Sequence, residues 1–413
     1  MNIIFVHQNM PGQFLHLMQH LAANGHNVVF ITQRKGVNVP GVRTMVYQVG
    51  RRASPHTHHY LRNAESAILY GQEVARVAMR LRHNRFKPDL IVGHSGWGEI
   101  LFLKDIYPDV PLVGYFEYYY HLQKGDVGFD PGEPVTADTA PRLRARNTVN
   151  LLSLAAADAG ITPTRWQQSL YPEPYRERLQ VLHEGVDTAR LRPNPAASFQ
   201  VPGTGVTLKA GDEILTYVGR NLEPHRGFPS FMRSLPEILR RRPQARVLII
   251  GGDGVSYGAP PAEGGSWKAV MLKELGDTVD WSRVHFLGRV PYPQFTSILA
   301  LSRAHVYLTY PFVLSWSMLE AMASGCVVIG SRTPPVEEVI RDGGNGLLVD
   351  FFSPQQIAER AVQVLSEPAA FQHIRANARQ TVVEQYDLRT VCLPAQLSML
   401  ERARNGDYSV TVA

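Results

Sequence analysis

Short, apolar, β-branched runs recur along this chain, and most lead into a turn and then a segment with helical spacing. NIIFV, VVFIT, LIVG, VPLVGY, ILTYVG, RVLIIGG, VHFLG, AHVYLTY, CVVIG and LLV are examples. Such a run, with no polar residue at every second place, has both faces buried, as happens in parallel sheets covered by helices on each side. Parallel neighbours need a crossover, so the alternation predicts repeated βαβ units and an α/β, doubly wound fold. In such sheets ligands bind beyond the carboxyl ends of the strands, and the residues at the strand exits are the ones to inspect.

At 413 residues the chain exceeds one ordinary hydrophobic core, and the strand–helix series restarts near Ile214. Between the two series RPNPAASFQVPGTG, rich in proline and glycine, reads as a linker with a boundary between Asn194 and Gly205. The expected domains are residues 1–195 and 196–385, followed by a final helical segment, 386–413. No apolar run is long enough to cross a bilayer, and MNIIFVHQNM lacks a signal-peptide plan, so a cytoplasmic protein is expected. Cys326 and Cys392, each in apolar sequence without metal-ligand spacing, are expected as buried thiols, and no metal site is expected. The net charge of +6 favours anionic partners. Its densest segment carries Arg76, Arg80, Arg82, Arg85 and Lys87, and reads as a solvated helix face or as a patch in peripheral contact with acidic lipid. No recognition motif accompanies it, which argues against nucleic acid.

Chemistry-bearing residues gather at the strand exits. NIIFV leads into His7 and the Pro11-Gly12 turn, where Gly12 permits close backbone approach to a ligand. LIVG ends in His94-Ser95-Gly96-Trp97-Gly98-Glu99. VPLVGY ends in Phe116-Glu117-Tyr118-Tyr119-Tyr120-His121, and a carboxylate there can stabilise a cationic centre or take an acceptor's proton. The polar stretch from Gln123 to Pro141 reads as a loop over the site. In the second half a strand ends in Gly219 and Arg220, and Arg226 precedes a helix opened by Gly227; two cations on one loop suit a departing nucleoside diphosphate without a metal. Gly252-Asp253-Gly254 begins a G-x-G, but Tyr257 stands in the third glycine place, which argues against a nicotinamide-dependent oxidoreductase. From Leu308 to Asp350, Ser315-Trp316-Ser317 offers hydroxyls to cap a helix that carries Glu320 one turn in. The amides and dipole of such a start suit a diphosphate, and the carboxylate suits ribose hydroxyls.

This last stretch resembles the donor-binding segment of the retaining GT-B glycosyltransferases of family 4, also called group 1. Glu320, Ala321, Met322, Ala323, Gly325, Glu337 or Glu338, Asn345, Gly346 and Val349 sit where the family pattern has them. Phe312 stands where the family places the first Glu of its E-x7-E motif, which marks a variant branch. The resemblance implies two Rossmann-like αβα domains facing across a cleft, an acceptor side and then a donor side, with the last helix crossing back to the first domain. It implies metal-independent transfer, with retention, from a UDP- or GDP-linked sugar to a glycan, lipid-linked, protein or small-molecule acceptor. By the same resemblance Arg220 and Arg226 stabilise the leaving diphosphate, Arg226 standing where Lys is usual. Gly12, Glu184, Gly219, Ser315, Trp316 and Ser317 lie beside the donor, Arg289 and Val290 beside its nucleobase, and Glu320 holds its ribose. Glu117 takes the place of a His that faces the reacting sugar, with His121 as the other candidate. Phe312 and Glu117 also support an alternative, a catalytically degenerate protein of this fold that binds nucleotide or glycan without turnover.

Overall fold

The computed structural model describes residues 1–410. The chain forms two compact units, one made of Met1–Gly185 with the chain from Arg389 onward, the other of Val186–Leu388.

In the first unit, β1 (Asn2–Val6), β2 (Asn27–Thr32), β3 (Val42–Val46), β4 (Leu90–His94), β5 (Leu112–Tyr115), β6 (Ala159–Thr162) and β7 (Leu179–Val181) form one sheet in the order β3-β2-β1-β4-β5-β6-β7. Every pairing is parallel; Ile3, for example, lies opposite Val28 on one side and Leu90 on the other. The central strand explains why its sequence does not alternate. Ile3 and Phe5 point into a core with Leu17 and Met18 of the helix Leu15–Ala23 and with Met399 and Leu400 of the helix Leu393–Arg404. Ile4 and Val6 point the other way, into a core with Val74, Val77 and Leu81 of the helix Arg62–His83. Each such side chain contributes about 1.5–3 kcal/mol by burial, so a polar residue at either register would be costly. The strand order reverses between β1 and β4, and the loops leaving these two strands diverge there.

The second unit opens with a small antiparallel hairpin, β8 (Ser198–Gln200) and β9 (Thr207–Lys209). This corrects the expectation of a plain linker. Phe199, Val201 and Leu208 are buried in the core of this unit beside Ile298 and Leu299 of the helix Tyr292–Leu301. Three-residue strands hold too little alternation to outweigh the neighbouring prolines and glycines in a sequence reading. The sheet proper comprises β10 (Ile214–Asn221), β11 (Arg246–Gly252), β12 (Val284–Gly288), β13 (Ala304–Tyr307), β14 (Val327–Ser331) and β15 (Leu347–Val349), in the order β12-β11-β10-β13-β14-β15. It too is parallel throughout, with its reversal between β10 and β13. Gly227, at φ 69°, links a short 3-10 turn to the helix Phe228–Arg241, and a Cβ there would come within 2.4 Å of the Leu308 side chain. Only glycine lets the helix start lie this close to the exit of β13. Among the described residues no helix is long and apolar enough to cross a membrane.

Candidate active site

In the second unit the residues of interest lie at the sheet reversal. Arg226 is only 6% exposed. Its Nη1 donates to the Tyr307 hydroxyl at 3.2 Å, Thr309 Oγ1 at 2.7 Å and the Val313 carbonyl at 3.0 Å, while its own carbonyl accepts from the Tyr217 hydroxyl at 2.8 Å. Burial works against the charge, but Tyr307, Tyr257 and Tyr217 around it hold its pKa above the ordinary value. Arg226 is thus a fixed cation, one edge pinned and the guanidinium carbon 5.2 Å from the centre of the Tyr257 ring. Arg220 is exposed, and its guanidinium carbon lies 5.8 Å from the same ring, so the structure brings the two expected cations together. The preceding Gly219 is partly buried in β10.

The helix Trp316–Ala323 begins as its sequence dictates, with Ser315 as N-cap. The Ser315 amide donates to the Tyr307 hydroxyl at 2.7 Å and the Ser317 amide to Ser315 Oγ at 3.4 Å, so two of the amides expected for a diphosphate are engaged within the protein. One turn in, Glu320 Oε1 accepts from the Tyr292 hydroxyl at 2.7 Å. Burial raises the Glu320 carboxyl from 4.5 to about 6, against a smaller lowering by Tyr292. The Arg190 guanidinium lies over the Tyr292 ring at 4.5 Å. Arg289 Nη2 donates to Asn221 Oδ1 at 3.2 Å, which ties the exit of β12 to that of β10, and Val290 packs against the core of the unit. Phe312, 8% exposed, has its ring 4.8 Å from that of His225 and 4.9 Å from that of Tyr257. Burial and then Arg226 push His225 down to about 3, so it stays neutral at ordinary pH.

In the first unit a second polar cluster forms at the reversal between β1 and β4. His7 and His94, 2% and 1% exposed, lie with ring centres 4.9 Å apart. His7 Nδ1 accepts from the Asn9 amide at 2.8 Å and His94 Nδ1 from the Gly96 amide at 2.9 Å, which leaves each neutral ring with its proton on Nε2. His7 Nε2 then donates to Gln13 Oε1 at 2.8 Å, and Gln13 Nε2 donates to Glu117 Oε1 at 2.8 Å. His94 Nε2 lies 3.6 Å from Glu117 Oε2. Glu117, its side chain 26% exposed, is raised by burial but lowered further by His94, His7 and Gln13, and ends below the usual carboxylate value. Trp97 stacks on His94 with ring centres 4.5 Å apart.

Three expected site residues of this unit stand differently. Gly12, at φ 54°, does allow a close approach, but to the His7 ring, which a Cβ would meet at 2.6 Å. Glu184 is buried, accepts a hydrogen bond from the Tyr115 hydroxyl, and lies 3.6 Å from His183 Nε2. His121 is drawn out of the cluster: its Nε2 lies 2.5 Å from the Leu170 carbonyl. Residues 116–121 form an irregular segment after β5. Gln13 and His94 were not singled out as site residues in the sequence. A signal for the histidines exists, because His7-Gln8-Asn9, His94-Ser95-Gly96 and His183-Glu184-Gly185 repeat one strand-exit pattern, and the Gly185 amide likewise donates to His183 Nδ1 at 3.0 Å. Among the described residues no group of His, Cys, Asp or Glu is placed to hold a metal ion.

Two parallel doubly wound sheets, each with a polar cluster at its reversal, define a protein of the GT-B class. Sucrose-phosphate synthase from Thermosynechococcus elongatus shares the fold at a TM-score of 0.69 and 18% identity, covering 98% of this chain and 99% of that one. Anabaena HepE in complex with UDP does so at 0.66 and 16%, covering 96% and 98%. Residues 24–191 match the glycosyl transferase family 4 group, and residues 205–381 match the glycosyl transferases group 1. The chain belongs to this glycosyltransferase family. A curated relative, D-inositol 3-phosphate glycosyltransferase of Nocardia farcinica, is 29% identical over 216 residues, which take in 51% of this chain and 45% of that protein. The match thus spans less than half of that relative's length.

Proposed function

We propose that the chain transfers a sugar, with retention, from a nucleoside diphosphate donor to an acceptor hydroxyl. The observation that carries this reading is Arg226, a buried cation fixed by three oxygen acceptors at the sheet reversal, with Arg220 beside the same tyrosine ring. As the bond from the anomeric carbon to the diphosphate breaks, negative charge grows on the leaving oxygen, and fixed donors stabilise it without reorganising. Glu320 receives the ribose hydroxyls, and the exits of β10 and β12, with Arg289 and Val290, take the base. In the first unit Glu117 is the ionised carboxylate available to stabilise the cationic sugar centre, and the departing phosphate oxygen accepts the acceptor's proton.

HepE was solved with UDP, so UDP-sugars are the donors to try first, with GDP-sugars second. The Nocardia relative is named for an inositol phosphate, which makes a phosphorylated polyol a first acceptor to test beside glycans, lipid-linked sugars and proteins. The helix Arg62–His83 exposes Met79 between Arg76 and Arg80, and cosedimentation with anionic vesicles tests peripheral membrane contact. The direct test of function is release of UDP from UDP-glucose, in EDTA, with and without a panel of acceptors that includes a phosphorylated polyol, by wild type and by Arg220→Ala, acceptor-dependent release being the transfer signal. Release by wild type that falls in the variant supports transfer. A second reading, binding without turnover, is favoured by Phe312 packed among His225 and Tyr257; UDP binding without release from any donor would select it.

A further inference from the structure

The glycine-rich loop after β11 has the appearance of a phosphate cradle, yet its amides already hold an anion, and that anion belongs to the chain. Glu223 has no exposed surface. Its Oε1 accepts from the Ser256 amide at 3.0 Å, and its Oε2 accepts from the amides of Ser256, Tyr257 and Gly258 at 3.1 Å each. Three consecutive N–H groups converging on one carboxylate form the kind of backbone nest that otherwise takes a phosphate. Asn221 reinforces the mooring by donating to Ser256 Oγ at 2.8 Å. Among the described residues no cation is placed to pair with Glu223, so the buried charge depends on this nest. A buried carboxylate without such donors would be strongly unfavourable.

The mooring has one outward consequence. Tyr257 lies in the middle of the nest, and fixing its backbone sets its ring 5.2 Å from the guanidinium carbon of Arg226, 5.8 Å from that of Arg220 and 4.9 Å from the Phe312 ring. The residue is nevertheless 37% exposed. A ring that closes one side of an arginine pair and stays open on another is placed to meet whatever is attached to a diphosphate held by those arginines. We propose that Glu223 is a positioning residue that fills the nest of residues 256–258, and that Tyr257, held in this way, is a specificity residue for the sugar half of the donor. This rests on the reading of Arg220 and Arg226 as the diphosphate site. It removes the loop from phosphate binding and gives it a different task, presenting an aromatic face.

The test compares wild type with Glu223→Gln, Tyr257→Ala and Tyr257→Phe. Amide hydrogen exchange is followed over residues 255–259, and affinities are measured for UDP against UDP-glucose and for GDP against GDP-mannose. Glu223→Gln keeps the shape but replaces one acceptor oxygen with a donor, so exchange at 256–258 rises about tenfold or more. The sugar nucleotide is then bound about fivefold or more weakly while the free diphosphate stays within about twofold. Tyr257→Ala gives the same split in affinity without the faster exchange at 256 and 258, and Tyr257→Phe stays close to wild type. Equal loss of both ligands, or no loss of either, overturns the assignment of Tyr257. Tighter binding of free UDP or GDP by Glu223→Gln would mean that the loop is a phosphate site which Glu223 blocks, and would overturn the positioning role. If wild type binds none of the four ligands, the diphosphate reading itself fails, while unchanged exchange in Glu223→Gln would separately overturn the nest.

Discussion

Glu320 offers a prediction in which the expected pH and the expected size both come from the structure. Burial places its carboxyl at about 6 in place of 4.5, with Tyr292 as its hydrogen-bond partner. If the ionised carboxylate accepts from ribose hydroxyls, donor affinity falls as pH falls through 6. From the ionised fraction alone, the dissociation constant for UDP-glucose should rise about tenfold between pH 7 and pH 5, against about 1.3-fold for a carboxylate of ordinary pKa. UDP-glucose is the ligand of choice because its diphosphate does not titrate in this window. His225 of the same unit, pushed down to about 3, does not titrate there either. The sign for folding is opposite to that for binding: a carboxyl raised in the folded state is penalised in full above pH 6, by roughly 2 kcal/mol, and relieved as pH falls toward 4.5. Glu320→Gln should therefore bind UDP-glucose weakly with no pH dependence, and should be at least as stable as wild type at pH 7.5. Isothermal titration at half-unit pH steps, with thermal unfolding alongside, reads both. A flat wild-type profile, or a wild-type-like profile in Glu320→Gln, would refute the ribose role.

Arg226→Lys keeps the charge but its nitrogen ends short of the Nη1 position that donates to Tyr307, Thr309 and Val313; unfolding stability should fall by about 1–3 kcal/mol and donor turnover by about tenfold or more, checked by chemical denaturation and by UDP release. Glu117→Gln should slow turnover about a hundredfold or more while UDP affinity stays unchanged, because Glu117 belongs to the first unit's cluster; an equal change in UDP affinity would remove that assignment. Gly227→Ala must take φ 69° and place a methyl 2.4 Å from Leu308, so it should lose about 2–4 kcal/mol of stability in denaturant titration.

The parts of this protein that were legible in sequence are those whose cause is local. Doubly buried strands such as Ile3 to Val6 show as unbroken apolar runs, and the Ser315 cap with Glu320 one turn later follows from helix geometry. The cations Arg220 and Arg226 were visible as charges, but the burial of Arg226 was not, because its acceptors lie more than 80 residues on. Glu223 left no trace in composition or spacing, since its partners are backbone amides that any residue type could supply. The same holds for Gln13, which matters only because folding brings Glu117 within reach. The hairpin of residues 198–209 was hidden because its strands are too short to show alternation.

On the proposed reading the second unit holds a nucleoside diphosphate donor through Arg220 and Arg226. The most direct measurement is a thermal-shift and calorimetric panel of UDP, GDP, ADP and TDP with their sugar conjugates, in EDTA and with added magnesium, on wild type and on Arg220→Ala. Stabilisation by one nucleotide class is expected, equal in EDTA and magnesium, with a loss of affinity of about tenfold in Arg220→Ala, where an exposed side chain is removed without disturbing the core. No stabilisation by any nucleotide, or one that Arg220→Ala leaves intact, would contradict that reading.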